Sequence, residues 1–196
     1  MRLSPLVHLY VAENTAGTNP PNLSENALAL TYLPSAAFGD GTHPTTRLCA
    51  GAVDLYCRLN RPETVLDVGT GTAVLARIAR ARGARFIVAT DIDPIALSSA
   101  KSNTALDPTP VEILLSDALP DFWGPRFNLV IANILEGPLR MLAPALSRAL
   151  APGGTLFLSG FTPLQIPSLE IAFKEFGLKV ENHSTLEGWA LLQLKL

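Results

Sequence analysis

Five short apolar runs, "TVLDV", "RFIVATD", "VEILLSD", "FNLVIAN" and "TLFLSG", recur between residues 64 and 160, separated by stretches that read as helix or turn. Strands buried on both faces read as nearly continuous apolar segments, and joining them in parallel requires crossovers. The alternation predicts a doubly wound α/β sheet. After a helix around "SLEIAFKEFG", the segments "LKVENHS" and "WALLQLKL" predict a closing antiparallel hairpin. In it Leu192, Leu194 and Leu196 share one face, and Gln193 and Lys195 the other. The expected architecture is a seven-stranded, mostly parallel sheet with helices on both faces.

Ahead of the first run, Leu48, Ala52, Leu55, Tyr56 and Leu59 recur at the helical period, with Thr45 and Thr46 suited to cap the start and Pro62 to follow the end. Pro138 suits a first helical turn, and Pro144 is expected to start a new helix rather than continue the old one. Residues 1–35 are read as a leader or linker, since Pro5, Pro20, Pro21, Pro34 and "ENTAGTNPPNLSEN" interrupt any period. Within them "LVHLYVA" and "ALALTYL" each suit a short strand. Residues 36–196 are read as one domain. At 196 residues and 48% hydrophobic positions, such a chain buries a sizeable core without a metal or disulfide.

A net charge of −2 gives a polyanion nothing to bind, so direct nucleic-acid binding is not expected. The nearest basic cluster, Arg77, Arg80, Arg82 and Arg85, reads as a solvated helix end. Cys49 and Cys57 lie eight residues apart in one helical pattern, about 12 Å of rise and too far for a disulfide. No apolar run approaches the roughly 20 residues of a membrane span, and no signal pattern opens the sequence. A cytoplasmic location without membrane partners is expected.

Each parallel run ends in a polar residue: Asp67, Asp91, Asp117, Asn133 and Ser159. Ligands of open α/β sheets bind outside those carboxyl ends, so the five residues predict one crevice. After the first run, "DVGTGTAVLARIA" places Gly69 and Gly71 where a sharp turn approaches a ligand ahead of a helix. Val74 stands where a dinucleotide motif wants a small residue, and no Gly-Lys-Ser/Thr ending follows. Asp91, 22 residues after Gly69, is placed to accept hydrogen bonds from both hydroxyls of a ribose. A nucleoside without phosphates, S-adenosylmethionine, suits this crevice better than NAD. Asp117 is placed to accept a bond from an adenine amino group, or simply to cap a turn.

The segments "DVGTGTAVLA", "TDIDPIALSSAKSN" and "NLVIANILEGPLRMLAP…LAPGGTLFLSG" resemble the successive motifs of Rossmann-like class I methyltransferases. "AFGDGTHPTT" together with "ANIL" is similar to the PrmA family, whose members methylate a protein of the large ribosomal subunit. The resemblance implies that Thr46, Gly69, Asp91 and Asn133 contact the cofactor, that Phe38 lies beside it, and that the loop from residue 36 folds over it. It places Asp40 where the family has Thr, and Thr72-Ala73 where the family has Ser-Gly. Alanine is tolerated there if the backbone is helical. Family members acting on the ribosomal protein carry a substrate-recruiting domain ahead of the linker, where this chain has about 35 residues.

Methyl transfer from a sulfonium is an in-line displacement that requires positioning and a nucleophile with a free lone pair. Asn133 and the neighbouring carbonyls suit a neutral amine, so nitrogen is the expected acceptor and Asn133 the expected catalytic residue. No metal is expected, His43 is read as ordering its loop, and Trp123 and Trp189 as packing. Gly39 and Gly41 predict a lid hinged at one side. The readings that remain beside protein methylation are methylation of a small amine or RNA, and a non-catalytic subunit that binds the cofactor.

Overall fold

The structure, a computed structural model, describes residues 1–11, 24–107, 112–115 and 127–196. Near the N-terminus β1 (Arg2–Ser4), β2 (Val7–Val11) and β3 (Leu28–Tyr32) form a small sheet in that order, with β2 and β3 parallel. The stretch expected as a leader thus supplies both predicted strands and one more. Leu3, Val7, Leu9 and Leu30 are buried in the same core as the first helix, α1 (Pro44–Asn60).

The main sheet comprises β4 (Thr64–Val68), β5 (Phe86–Asp91), β6 (Glu112–Leu115), β7 (Phe127–Asn133), β8 (Leu150–Phe161), β9 (Lys179–Leu186) and β10 (Trp189–Lys195). Its order is β6-β5-β4-β7-β8-β10-β9, and β10 runs antiparallel to both of its neighbours. β8 begins at Leu150, so the "APGG" expected before it lies within it. Leu192 and Leu194 are buried as the alternation requires, while Leu196, beyond the strand, is half exposed.

Pleating sends successive side chains to two separate cores. Val65, Leu129, Ile131, Phe157 and Leu191 pack with α1 and α2 (Val74–Ala81). Leu66, Val130, Ala132, Leu156 and Leu192 pack with α4 (Glu136–Met141), α5 (Ala143–Ala149) and α6 (Ile166–Lys174). α3 (Pro94–Thr104) adds Ala100 to the first core. Because both faces are covered, the parallel strands read as unbroken apolar runs, which is what made them legible.

Two local expectations change. The cap of α1 is His43 rather than a threonine: its Nδ1 accepts from the Thr45 amide at 3.3 Å and lies 2.8 Å from Thr45 Oγ1, leaving both threonines inside the helix. Of the arginines in and after α2, Arg85 is exposed as expected, but Arg77 and Arg82 do not belong to a solvated end. Arg77, 1% exposed, donates twice to Asp107 at 2.7 Å, and Arg82 donates to Asp54 and to the Asn26 carbonyl. α2 is buried nearly all round, so cations at its end find carboxylates of α1 and of the turn after α3 before they find water. Cys49 and Cys57 are free and buried.

Candidate active site

Strand order reverses at β4, with β5 and β6 leading one way and β7 and β8 the other, so a crevice opens at the carboxyl ends of β4 and β7. A cavity of about 640 Å³ occupies it. Phe38, Gly69, Gly71, Asp91 and Asn133 line it as expected. Thr46, Asp67 and Ser159 do not. Thr46 is 1% exposed inside α1, and Ser159 donates to the Ala190 carbonyl at 2.7 Å. Asp117 and Trp123 lie outside the described residues.

Asp67 instead organises the turn from beneath. Its Oδ2 accepts from Thr70 Oγ1 at 2.7 Å and from the Ala76 amide at 3.2 Å. Burial pushes its carboxyl up to about 6 against those hydrogen bonds, and the nearby Asp91 pushes the same way. The glycines of the turn have a double reason. Gly69 and Gly71 sit at φ 70° and 56°, and a Cβ on them would lie 2.3 Å from Ile134 Cγ2 and 2.1 Å from the Phe38 carbonyl oxygen. The close approach is therefore to the protein's own loops. Ala73 is not helical: at φ 63° it holds the left-handed conformation that glycine would adopt freely.

Asp91, ending β5, is aimed by the backbone around it. Its Oδ2 accepts from the Gly71 amide at 2.9 Å and its Oδ1 from the Asp93 amide at 3.0 Å. Each oxygen keeps lone pairs for a diol. Across the crevice Asn133 ends β7 with its Oδ1 buried and unpartnered, and the same holds for Asp67 Oδ1 and Thr46 Oγ1. Buried acceptors left open in this way call for a hydrogen-bond donor that the protein itself does not provide.

The loop over the cavity is held at both ends rather than hinged at one. Thr72 donates its amide to the Phe38 carbonyl at 2.9 Å and its hydroxyl to the Gly39 carbonyl at 2.7 Å. Asp40 accepts from the amide and hydroxyl of Thr42, and Gly41 is buried against Leu3 and Leu9, with no room for a Cβ.

Several lining residues were not expected. Trp189, at the start of β10, packs edge-on against the His43 ring at 4.6 Å, and His43 lies 5.2 Å from the Phe38 ring. Thr45, rather than its neighbour Thr46, faces the cavity, and Leu135, Pro138 and Met141 extend it along α4. Trp189 follows the Glu187-Gly188 turn, and it reaches the same sheet end as Asn133 only because β10 pairs with β8 and β8 with β7.

This strand order, with a glycine turn after β4, an acid ending β5 and an asparagine ending β7, defines a Rossmann-like class I methyltransferase fold. The family model described as ribosomal protein L11 methyltransferase (PrmA) matches residues 11–196. The chain belongs to that family, whose members are S-adenosylmethionine-dependent methyltransferases. It is 40% identical over 179 residues to the ribosomal protein L11 methyltransferase of Bradyrhizobium diazoefficiens, covering 88% of this chain and 60% of that protein. Against the protein of the same name from Bordetella parapertussis it is 37% identical over 172 residues, covering 88% and 54%. The chain thus spans 60% or less of the length of these two relatives. The solved ribosomal protein L11 methylase of Lactobacillus delbrueckii subsp. bulgaricus superposes with a TM-score of 0.85 at 29% identity, covering 99% of this chain and 96% of that one. The N-methyltransferase NodS of Bradyrhizobium japonicum shares the fold at 15% identity and a TM-score of 0.63, covering 79% and 88%.

Proposed function

We propose that this chain is an S-adenosylmethionine-dependent N-methyltransferase whose acceptor is an amine of a protein, a large-subunit ribosomal protein by kinship. One observation carries the reading: a single cavity joins a carboxylate preset for a diol, Asp91, to a buried amide oxygen without a partner, Asn133. The residues present fit the cofactor. Asp91 would take the ribose hydroxyls, and Thr45 and Asn133, which line the same cavity, would offer polar groups to the amino-acid end.

When bound, the sulfonium supplies an activated methyl group, and the chain's own residues have only to position the amine. Asn133 accepts a hydrogen bond from the neutral amine through Oδ1, which turns the nitrogen lone pair toward the cavity. The amine must arrive deprotonated, because an ammonium has no lone pair to give. Phe38, His43 and Trp189 narrow the mouth on this side and exclude water from the reacting atoms.

The test is calorimetry followed by transfer. S-adenosylmethionine and S-adenosylhomocysteine should bind and NAD should not. Label from S-adenosylmethionine should then appear, acid-stable, in unmodified large-subunit ribosomal protein. Tight NAD binding, or label confined to RNA or to small amines, overturns the proposal.

A further inference from the structure

A second cavity, also about 640 Å³, lies on the α1 face of the sheet, away from the glycine turn. Its floor is Phe157 of β8 and Leu191 of β10, and one wall is polar β9. The other wall is a stripe of α1. Leu48, Ala52, Leu55 and Leu59 stand at positions i, i+4, i+7 and i+11, an apolar line about 16 Å long. Leu55 is 53% exposed and Leu59 72%. Leucines so placed, with no element of the described chain over them, form the apolar half of a helix-in-groove site.

The polar lining tells what sign of partner the groove accepts. Among the described residues lining it there is no Asp or Glu, while Arg2, Arg47 and His183 contribute cations or donors. Arg2 has no carboxylate partner among the described residues; its Nε donates to the Ser4 carbonyl. Arg47 is only half used: Nη2 donates to Glu187 at 2.7 Å, but Nε is buried without an acceptor. A buried guanidinium nitrogen left open is costly unless an oxygen reaches it.

The groove also adjoins the catalytic cavity. Arg47 follows the cavity-lining Thr45 by two residues, and its ion-pair partner Glu187 precedes Trp189 by two. The Arg47–Glu187 pair therefore ties a groove-lining residue to the turn that precedes a residue of the first cavity. A second copy of this chain is a poor occupant, because its α1 would bring the groove no free carboxylate: the one acid of that helix, Asp54, is held by Arg82 and Arg58.

We infer that this groove is a docking site for an acidic amphipathic helix of the protein whose amine is methylated, seated with its leucines on Leu55 and Leu59 and a carboxylate at Arg47 Nε. The inference rests on the methyltransferase reading for its purpose, but binding can be read without turnover.

The probe is a fluorescent, helix-forming peptide of roughly 15 residues with leucines on one face and glutamates flanking them, paired with a control in which lysine replaces every glutamate. The glutamate peptide should bind saturably, and the lysine peptide about tenfold more weakly or not at all. Leu55→Asp and Leu59→Asp should each weaken the glutamate peptide about tenfold. Both positions are solvent-facing, so circular dichroism and S-adenosylhomocysteine affinity should stay unchanged. No binding of the glutamate peptide, or binding indifferent to both substitutions, overturns the inference. So does a dimer in sedimentation that Leu59→Asp dissociates, since the groove would then belong to a second copy. Failure of S-adenosylhomocysteine to bind the unaltered protein would instead count against the methyltransferase reading and leave the peptide result standing.

Discussion

The two halves of the catalytic cavity are built by different means. On the β4–β5 side the walls are backbone: the turn from Asp67 to Ala73 is tied by Thr70 and Ala76 to Asp67, by Gly71 to Asp91, and by the Gly69 and Thr70 amides to the Thr90 carbonyl. On the β7–β10 side the walls are side chains from distant parts of the chain, with Phe38, His43, Asn133 and Trp189 meeting through ring contacts or not touching at all. A wall made of hydrogen-bonded backbone is part of the fold. A wall made of converging side chains is free to vary with the substrate. Damage to the first should therefore appear in stability and cofactor affinity together, and damage to the second in turnover.

The harshest way to break this contrast is Gly71→Ala. The new Cβ meets the Phe38 carbonyl oxygen at 2.1 Å on a backbone at φ 56°, so a stability loss of about 2–5 kcal/mol is expected, with loss of S-adenosylhomocysteine binding. Chemical denaturation checks it, and a variant as stable as the parent would show that the turn can move away from the loop.

Next in size is a pH effect carried by Asp67. Its folded value of about 6 lies about two units above its ordinary 3.8, so between pH 4 and pH 6 the folded state holds a proton that the unfolded chain has released. The stability this group contributes is complete below about pH 4 and is lost as pH rises through 6, about 3 kcal/mol in all. Asp67→Asn should lack that decline. Superimposable melting-temperature profiles for the two proteins across pH 4 to 7 would refute it.

The contrast sharpens when one residue of each half is compared. Asp91→Ala should weaken cofactor binding tenfold to a hundredfold, about 1.5–3 kcal/mol, by removing charge-assisted bonds. Asn133→Ala should lower kcat by a larger factor than it weakens cofactor binding. Calorimetry beside steady-state rates decides, and equal losses for Asn133→Ala in both would make it a cofactor contact alone.

The smallest expected effect is a gain. Ala73→Gly relieves a left-handed alanine at φ 63° and should stabilise by about 0.5–1 kcal/mol without changing turnover. A neutral or negative shift in the denaturation midpoint would mean that the added freedom of the unfolded chain outweighs the relief.

The same contrast governs what could be read from the residues alone. Features fixed within one strand or turn leave local marks, so the strands, the glycine turn and the strand-end residues Asp91 and Asn133 were legible. Side-chain convergence leaves none: Trp189 reaches the cavity through the β8–β10 pairing, and no spacing near it announces that. Ala73 was misjudged because one residue does not reveal the sign of its φ. Arg77 within α2 and Arg82 just after it were misjudged because their carboxylates, Asp107 and Asp54, lie 30 and 28 residues away.

Gly41 has a consequence for timing. The loop from residue 36 to 43 rests on Thr72 through Gly39 and on Leu3 and Leu9 through Gly41, so it is clamped between two sheets. Lifting it uncovers apolar side chains of the small sheet as well as breaking two hydrogen bonds, which makes opening a concerted event on the microsecond-to-millisecond scale rather than the nanosecond flicker of a free loop. Amide exchange at Thr72, whose N–H is accepted by the Phe38 carbonyl of the loop, should then report this opening rate, and that rate sets the fastest pace at which spent cofactor can leave through this side of the cavity.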